Sequence, residues 1–360
     1  PMATTHNVLI FGASYGSLLA TKLILAGHDA TLVCLPDEAE LINAEGTRVR
    51  LPVKGREGHV EISSRQAPGK LAAATPSEAD PAQFDLVALA MQEPQYRHPE
   101  VRALLDRAAA AGVPTMSIMN MPPLPYLKRI PGLDAQALRA CYTDAGVWDS
   151  FDPALMTLAS PDPQAFRPPE EPVNVLQVSL PTNFKVARFE SDAHTQVLRD
   201  LEAAIDAIRH DPGDDPGDGP VELPVKLRVH ASVFVPLAKW AMLLTGNYRC
   251  VTPGEARSIR DAVHADIEAS RAVYDWVREV CKALGASDDD LVPFEKYARA
   301  AEGLVKPSSA ARALYAGALA IERVDMVVQT VARQKGMSNP VVDETVRLVD
   351  DKLATNRKAA

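Results

Sequence analysis

Cysteine is scarce and scattered. The 360 residues hold four, Cys34, Cys141, Cys250 and Cys281, with no CxxC pair and no histidine cluster beside any of them. That pattern argues against a structural zinc site or any other metal site, and it fits a reducing compartment. A basic excess is missing too. Lys and Arg number 38 against 47 Asp and Glu, a formal charge of −9. Such a chain has no overall cationic character for nucleic acid or an anionic membrane. No apolar run approaches the roughly 20 residues of a membrane-spanning helix. The first residues lack the basic start and apolar core of a signal peptide, so a cytoplasmic location is expected. What is present is ordinary for a globular protein of about two domains: 47% hydrophobic and 24% charged residues.

The first 35 residues read as one β-α-β unit. Asn7 to Phe11 is a short apolar run suited to a buried parallel strand. The small-residue loop Gly12-Ala13-Ser14-Tyr15-Gly16-Ser17 follows, and Leu18 to Ala26 reads as a helix stopped by Gly27-His28. Ala30 to Cys34 is the second strand. Further on, Phe84–Ala90 and Pro114–Met119 read as buried strands around an amphipathic helix, His98–Gly112. Ala140–Val147, Val173–Leu180 and Phe184–Phe189 read as β-like, with a Pro-rich loop at Ser160–Pro172 and a helix at His194–His210. Asp211 to Pro220 contains four Asp, three Gly and three Pro, the composition of an acidic surface loop or linker. From Val225 onward the pattern is nearly all helical: Val225–Leu244, Gly254–Gly285, Asp289–Gly303, Ser308–Gly336 and Asn339–Thr355. Thr252-Pro253-Gly254-Glu255 resembles a capping box. The expected organisation is a Rossmann-type α/β domain over 1–210, a linker over 211–222, and an all-α domain over 223–360.

A small-residue loop between a strand and a helix N-terminus offers backbone N–H groups and a favourable dipole to a phosphate. The dinucleotide fingerprint places glycines at offsets 0, 2 and 5. Here those offsets hold Gly12, Ser14 and Ser17, with Gly16 one position early. The surrounding strand–loop–helix–strand pattern makes a dinucleotide site the favoured reading over a plain tight turn. Just after the second strand, an acid reads an NAD ribose and an arginine reads an NADP phosphate. The chain has Cys34-Leu35-Pro36-Asp37 there, which leaves the choice open.

These residues carry a resemblance. GASYGSLLATKLILAGHDATLV, from Gly12 to Val33, resembles the opening of ketopantoate reductases, GAGAIGSLLAxxLxxAGHxVTLV, with a loop one residue shorter. Ser117-Ile118-Met119-Asn120-Met121 resembles that family's Asn-Gly-Met turn. Val331 to Thr345 resembles its LArelGvptPvneT segment, and Pro307-Ser308-Ser309 and Ala316-Gly317 fall where the family has SSM and AG. The resemblance is patchy but spans nearly the whole chain in order. It implies a nucleotide-binding α/β domain followed by an all-α domain like the C-terminal domain of 6-phosphogluconate dehydrogenase.

It also implies a reductase that takes hydride from NADPH or NADH, with NADP slightly favoured, and a homodimer as partner state. Lys239 matches the family's general acid, and a lysine among apolar residues suits that work. Asn120 matches the asparagine near the nicotinamide. The loop residues Gly12, Ser14, Tyr15, Gly16 and Ser17, with Gln92 and Asn120, would hold the cofactor. Asn247, Ser308, Ser309 and Glu322 would contact substrate. The family's asparagine one turn after the lysine is Leu243 here, its lysine after the third strand is Gln92, and its GTT is absent near Cys141 to Ala145. These departures point to a 2-oxo acid or related carbonyl other than ketopantoate. Two alternatives stand beside this reading. One is an opine- or imine-type dehydrogenase using His230 on an apolar helix. The other is a dinucleotide-binding protein without catalysis. Arg249 is a candidate for a substrate carboxylate, and Trp148 and Tyr142 are candidates for a cleft wall.

Overall fold

A computed structural model describes residues 3–213 and 219–360. The middle of the acidic Pro/Gly run lies outside the described residues. The chain divides into two compact units. One holds the described residues within Pro1–Met91, Gln95–Met119 and Ser150–Ala231, and the other holds Gln92–Pro94, Asn120–Asp149 and Ser232–Ala360.

The first unit contains two sheets. Its strands are β1 (Asn7–Phe11), β2 (Asp29–Val33), β3 (Arg48–Pro52), β4 (His59–Ser63), β5 (Leu71–Ala74), β6 (Leu86–Leu89), β7 (Thr115–Ile118), β8 (Met156–Ser160), β9 (Gln164–Phe166), β10 (Val175–Leu180), β11 (Phe184–Ala187) and β12 (Leu227–His230). The main sheet runs β12-β11-β8-β7-β6-β1-β2-β5. The run from β5 through β2, β1, β6 and β7 to β8 is parallel throughout, in the doubly wound order that reverses between β1 and β6. β8 and β11 pair antiparallel. The smaller sheet, β4-β3-β10-β9, has alternating burial on β3 and β4, as expected of strands with one wet face. β1 and β6 are apolar runs buried on both faces, with Val8–Phe11 and Leu86–Leu89 fully enclosed. Helix α1 (Gly16–Leu25) packs its Leu18, Leu19, Leu23 and Ile24 into the same core.

Several sequence expectations are corrected. Val225–Leu244 is not one helix. Leu227–His230 forms β12, an edge strand paired in parallel with β11, and tertiary pairing overrides the helical reading. The boundary accordingly falls at Ala231/Ser232 rather than at residues 211–222. The stretch Ala140–Val147 is not β-like. It forms 3-10 turns, Gln136–Cys141 and Ala145–Trp148, within the second unit. Strands β3, β4, β5, β8 and β9 escaped the sequence reading.

The second unit is helical, with longer helices Ile267–Leu284, Val324–Gln334 and Pro340–Ala359. Thr252 caps no helix. Its hydroxyl accepts from Gly254 N at 3.1 Å and donates to Glu255 O at 2.6 Å, a local turn. The helix starts later, with Ser258 Oγ accepting from Asp261 N at 3.0 Å. Asp266 then caps a new helix through Ala269 N at 3.1 Å, which splits the expected Gly254–Gly285 helix in two.

α1 buries a charged residue. Lys22 is 1% exposed, and its Nζ donates to Pro224 O at 2.8 Å. Burial, reinforced by the nearby positive charge of Lys226 and opposed by Glu222, lowers its pKa from 10.5 to about 7. Between pH 7 and 10.5 the unfolded chain binds a proton at Lys22 that the native chain does not. Lys22 therefore makes stability rise with pH across that window. Lys22→Met is expected to remove that rise and to stabilise the protein at pH 7 by an amount on the order of a few kcal/mol. Urea denaturation of both proteins at pH 7 and pH 9.5 checks this. Parallel pH dependence in the two would refute it.

Candidate functional site

In the first unit the site begins where β1 ends. Gly12 adopts φ +102°, a left-handed conformation that glycine takes freely. A Cβ there would lie 2.7 Å from Met91 Cγ and 3.1 Å from Ala90 O, so the loops after β1 and β6 approach backbone to backbone. Gly16 is equally constrained, since its Cβ would sit 2.8 Å from Ile10 Cγ2. Gly12 N donates to Val33 O at 2.9 Å and fixes the loop against β2. Ser17 N donates to Ser14 O at 3.1 Å, and Ser17 Oγ donates to Ala13 O. Ser17 is thus buried and occupied in closing the turn. Among the described residues the amides of Ser14, Tyr15 and Gly16 have no acceptor. They lie at the N-terminus of α1, beside the point where the strand order reverses. Ser14 is exposed at the tip. The Tyr15 side chain turns away from it, donating to Pro163 O at 2.6 Å and meeting Phe184 edge-on at 5.9 Å. Tyr15 therefore offers its backbone, not its phenol. An anion with two phosphates fits this cradle.

After β2, Leu35 is 68% exposed and caps the helix Pro36–Glu45, with Asp37 exposed in its first turn. The sequence reading missed what lies next. Arg167, just past β9, meets Glu38 with two parallel bonds of 3.1 Å, and its Nε is buried without a partner. The two are 129 residues apart, so only the second sheet brings them together. Glu38 also raises the Cys34 thiol to about 12, after burial as the larger cause.

In the second unit, one helical segment changes pitch three times. It runs as 3-10 turn Val235–Ala238, α-helix Lys239–Met242, π-helix Leu243–Asn247 and 3-10 turn Tyr248–Cys250. Lys239 is half-buried and opens the α-helical turn. Leu243, one turn on, is buried in the core and offers no polar contact. In an unbroken α-helix, eight residues would rotate Asn247 about 80° away from Lys239. The π pitch, about 82° per residue against about 100°, takes back roughly 70° of that over four residues. Asn247 thereby returns to the Lys239 face. The wide turn is held from outside, since Tyr297 OH donates to Met242 O at 3.0 Å. Only a glycine at 246 leaves room for it, because a Cβ there would collide with that hydroxyl.

Other candidates converge on this segment. Ser308 Oγ donates to Asn247 O at 2.7 Å and accepts from Ala311 N at 3.1 Å, so it caps the helix Ser309–Tyr315 while fixing the Asn247 backbone. Ser309 is exposed, its hydroxyl 3.2 Å from an Arg312 nitrogen. Glu322 is buried and accepts from Met121 N at 3.0 Å. Burial, with the charge of Glu93, raises its carboxyl to about 7 against two backbone amide bonds. Glu93 in turn accepts from Thr143 N and Oγ1 at 2.9 and 2.8 Å. Tyr248, next to Asn247, donates to Glu322 O and accepts from Val324 N at 2.9 Å. Asn247, Ser308, Glu322 and the Asn120-Met121 turn are therefore linked, and Asn120 Oδ1 is buried with no hydrogen-bond partner. Gln92 is exposed.

His230 ends β12 in the first unit, its carbonyl accepting from Arg188 N at 2.8 Å. It is not on a helix of the second unit, which removes the basis for an opine-type acid–base role. Trp148 and Tyr142 are buried core residues. Arg249 donates to Thr245 O and Ser270 Oγ at 3.1 and 3.0 Å, beyond the Lys239 turn.

No protein-family model matches the chain, and no curated protein matches it by sequence. Solved structures do match over its whole length. A 2-dehydropantoate 2-reductase from Methylococcus capsulatus superposes with a TM-score of 0.64 at 14% identity, covering 97% of each chain. A D-mandelate dehydrogenase holding NADH and anilino(oxo)acetate gives 0.62 at 12% identity, covering 98% of this chain and 99% of that one. A dimeric ketopantoate reductase from Staphylococcus aureus gives 0.58 at 12% identity, covering 97% and 99%. The chain has the ketopantoate reductase fold.

The π-turn generates a prediction. Tyr297→Phe is expected to cost about 1–2 kcal/mol through the lost bond to Met242 O, and Gly246→Ala more, because the new methyl also displaces the ring. Thermal unfolding of both variants checks the order. A Gly246→Ala protein as stable as the wild type would show that nothing holds the turn open.

Proposed function

We propose that this protein is a nicotinamide-dependent reductase of a small 2-oxo acid. The carrying observation is the side-chain-free cradle at Gly12 and Gly16, placed at the switch point of a fold shared with ketopantoate reductases and D-mandelate dehydrogenase. The amides of Ser14, Tyr15 and Gly16 would bind the pyrophosphate, with Ser17 holding the loop closed and Gln92 beside it in sequence after β6. Asn120, whose Oδ1 lacks a partner, would take the nicotinamide amide. When bound, the reduced nicotinamide supplies a hydride to the carbonyl carbon. Lys239 Nζ gives a proton to the carbonyl oxygen, so that one C–H and one O–H bond form and the lysine is reprotonated from solvent. Asn247 and the Ser308-Ser309 turn orient the substrate. Glu322 positions the Asn120 turn through Met121 N.

Two features support a substrate other than ketopantoate: buried Leu243 at the position one turn after Lys239, and the lost GTT segment. The end of β2 supports NADH over NADPH. Leu35 offers nothing to a phosphate, and Arg167 is already neutralised by Glu38, which itself would repel one. The dimeric neighbour supports a homodimer, to be read by light scattering.

Thermal-shift titration is expected to show NADH binding at least about tenfold tighter than NADPH, with Glu38→Gln narrowing the gap. Failure to bind either cofactor would end the reductase reading, whereas binding without turnover of any 2-oxo acid would leave a dinucleotide-binding protein. Lys239→Met is expected to lower kcat by 10²-fold or more with cofactor affinity unchanged. Equal turnover in that variant would remove Lys239 as the acid.

A further inference from the structure

A pocket lies within the helical unit, where the pitch-changing segment ends. It measures about 310 Å³ and is lined by Arg249, Val251, Arg257, Pro340, Val341, Glu344, Thr345 and Leu348. Its size is at the lower end of small-ligand sites. Its two cations are the notable part. Arg257 Nε donates to the Arg249 backbone O at 2.8 Å, and the charge of Arg257 acts on the Arg249 guanidinium. Arg249 uses one nitrogen on Thr245 O and Ser270 Oγ. Among the described residues neither guanidinium has a carboxylate within ion-pair distance. The one acid in the lining, Glu344, is engaged by Arg347 through two nitrogens. Thr345 Oγ1 is spent on Val341 O at 2.9 Å.

Two half-buried guanidinium groups cannot relieve their repulsion by losing a proton. An oxyanion is the partner that their planar forks match, through charge-assisted bonds to both. The lining also includes apolar Val251, Pro340, Leu348 and Val341, the last 42% exposed for a large hydrophobic residue. We infer that this cavity binds a small organic anion, a carboxylate or phosphate ester carried on an apolar body of a few carbons. None of the lining residues is among those proposed above to hold cofactor or substrate, so the inference does not depend on that reading.

The test uses the full chain without any cofactor. Calorimetric and thermal-shift titrations compare benzoate, phenyl phosphate and neutral benzyl alcohol. At least one anion is expected to bind and raise the melting temperature, with benzyl alcohol inert. The tighter anion assigns the head group as carboxylate or phosphate ester. Arg257→Gln should weaken binding at least tenfold. Val341→Glu, a change at an exposed position that places a carboxylate in the cavity, should do the same even if the arginine variant folds poorly. Lys239→Met should bind as the wild type does. The inference is overturned if neither anion binds, if Val341→Glu binds as tightly as the wild type, or if Lys239→Met rather than Arg257→Gln and Val341→Glu removes the response.

Discussion

The first unit turns on how closely two loops approach at the carboxyl ends of β1 and β6. Gly12 lies against Ala90 O and Met91 Cγ with no room for a methyl group, and Gly16 lies against Ile10. That proximity brings the N-terminus of α1 to the reversal point of the strand order, where the crevice of an open α/β sheet forms. It also leaves three consecutive amides without acceptors, a cost the fold bears only because water or an anion can reach them. Ser17, at a position where the fingerprint has glycine, is accommodated because its hydroxyl bonds back to Ala13 O inside the turn. The shorter loop therefore closes its turn with a serine where the fingerprint has glycine.

In the second unit the controlling feature is pitch. A helix that changes from 3-10 to α to π within thirteen residues is costly unless something outside it satisfies the displaced carbonyls. Tyr297 does so at Met242 O, and Gly246 makes the space. Leu243 is buried one turn after Lys239, and the π pitch of Leu243–Asn247 rotates Asn247 less far from Lys239 than an unbroken α-helix would. Ser308 then fixes the Asn247 carbonyl, and Tyr248 couples the same stretch to Glu322.

What was legible in the sequence was whatever is encoded locally. β1, α1 and β2 followed from an apolar run, a glycine loop and a Gly-His stop, and the resemblance that starts at Gly12 led to the fold. What was illegible depends on distant partners. Leu227–His230 carries no local signal against helix, and becomes a strand only because β11 offers a free edge. Thr252 carries a capping pattern, yet Ser258 wins because the chain must first make its turn after Cys250. The π-turn requires a tyrosine fifty residues further on, so Gly246 alone does not announce it. Arg167 is invisible for the same reason, since its meaning comes from Glu38.

Four ionisable groups, two buried and two half-buried, show why unpaired charge means different things at different places. Lys22 escapes its burial by losing a proton near neutral pH and bonding to Pro224 O. Glu322 escapes by taking up a proton near pH 7 or by accepting amide bonds, and it does both. Neither therefore needs a ligand. Guanidinium has no such route, because it stays charged at every pH a protein survives. Among the described residues Arg249 and Arg257 have no carboxylate within ion-pair distance, and burial, followed by the charge of Arg257, disfavours the charged form of Arg249. An imbalance that a lysine would relieve by losing a proton therefore persists around a pair of arginines, and it is the ground for the anion site inferred above.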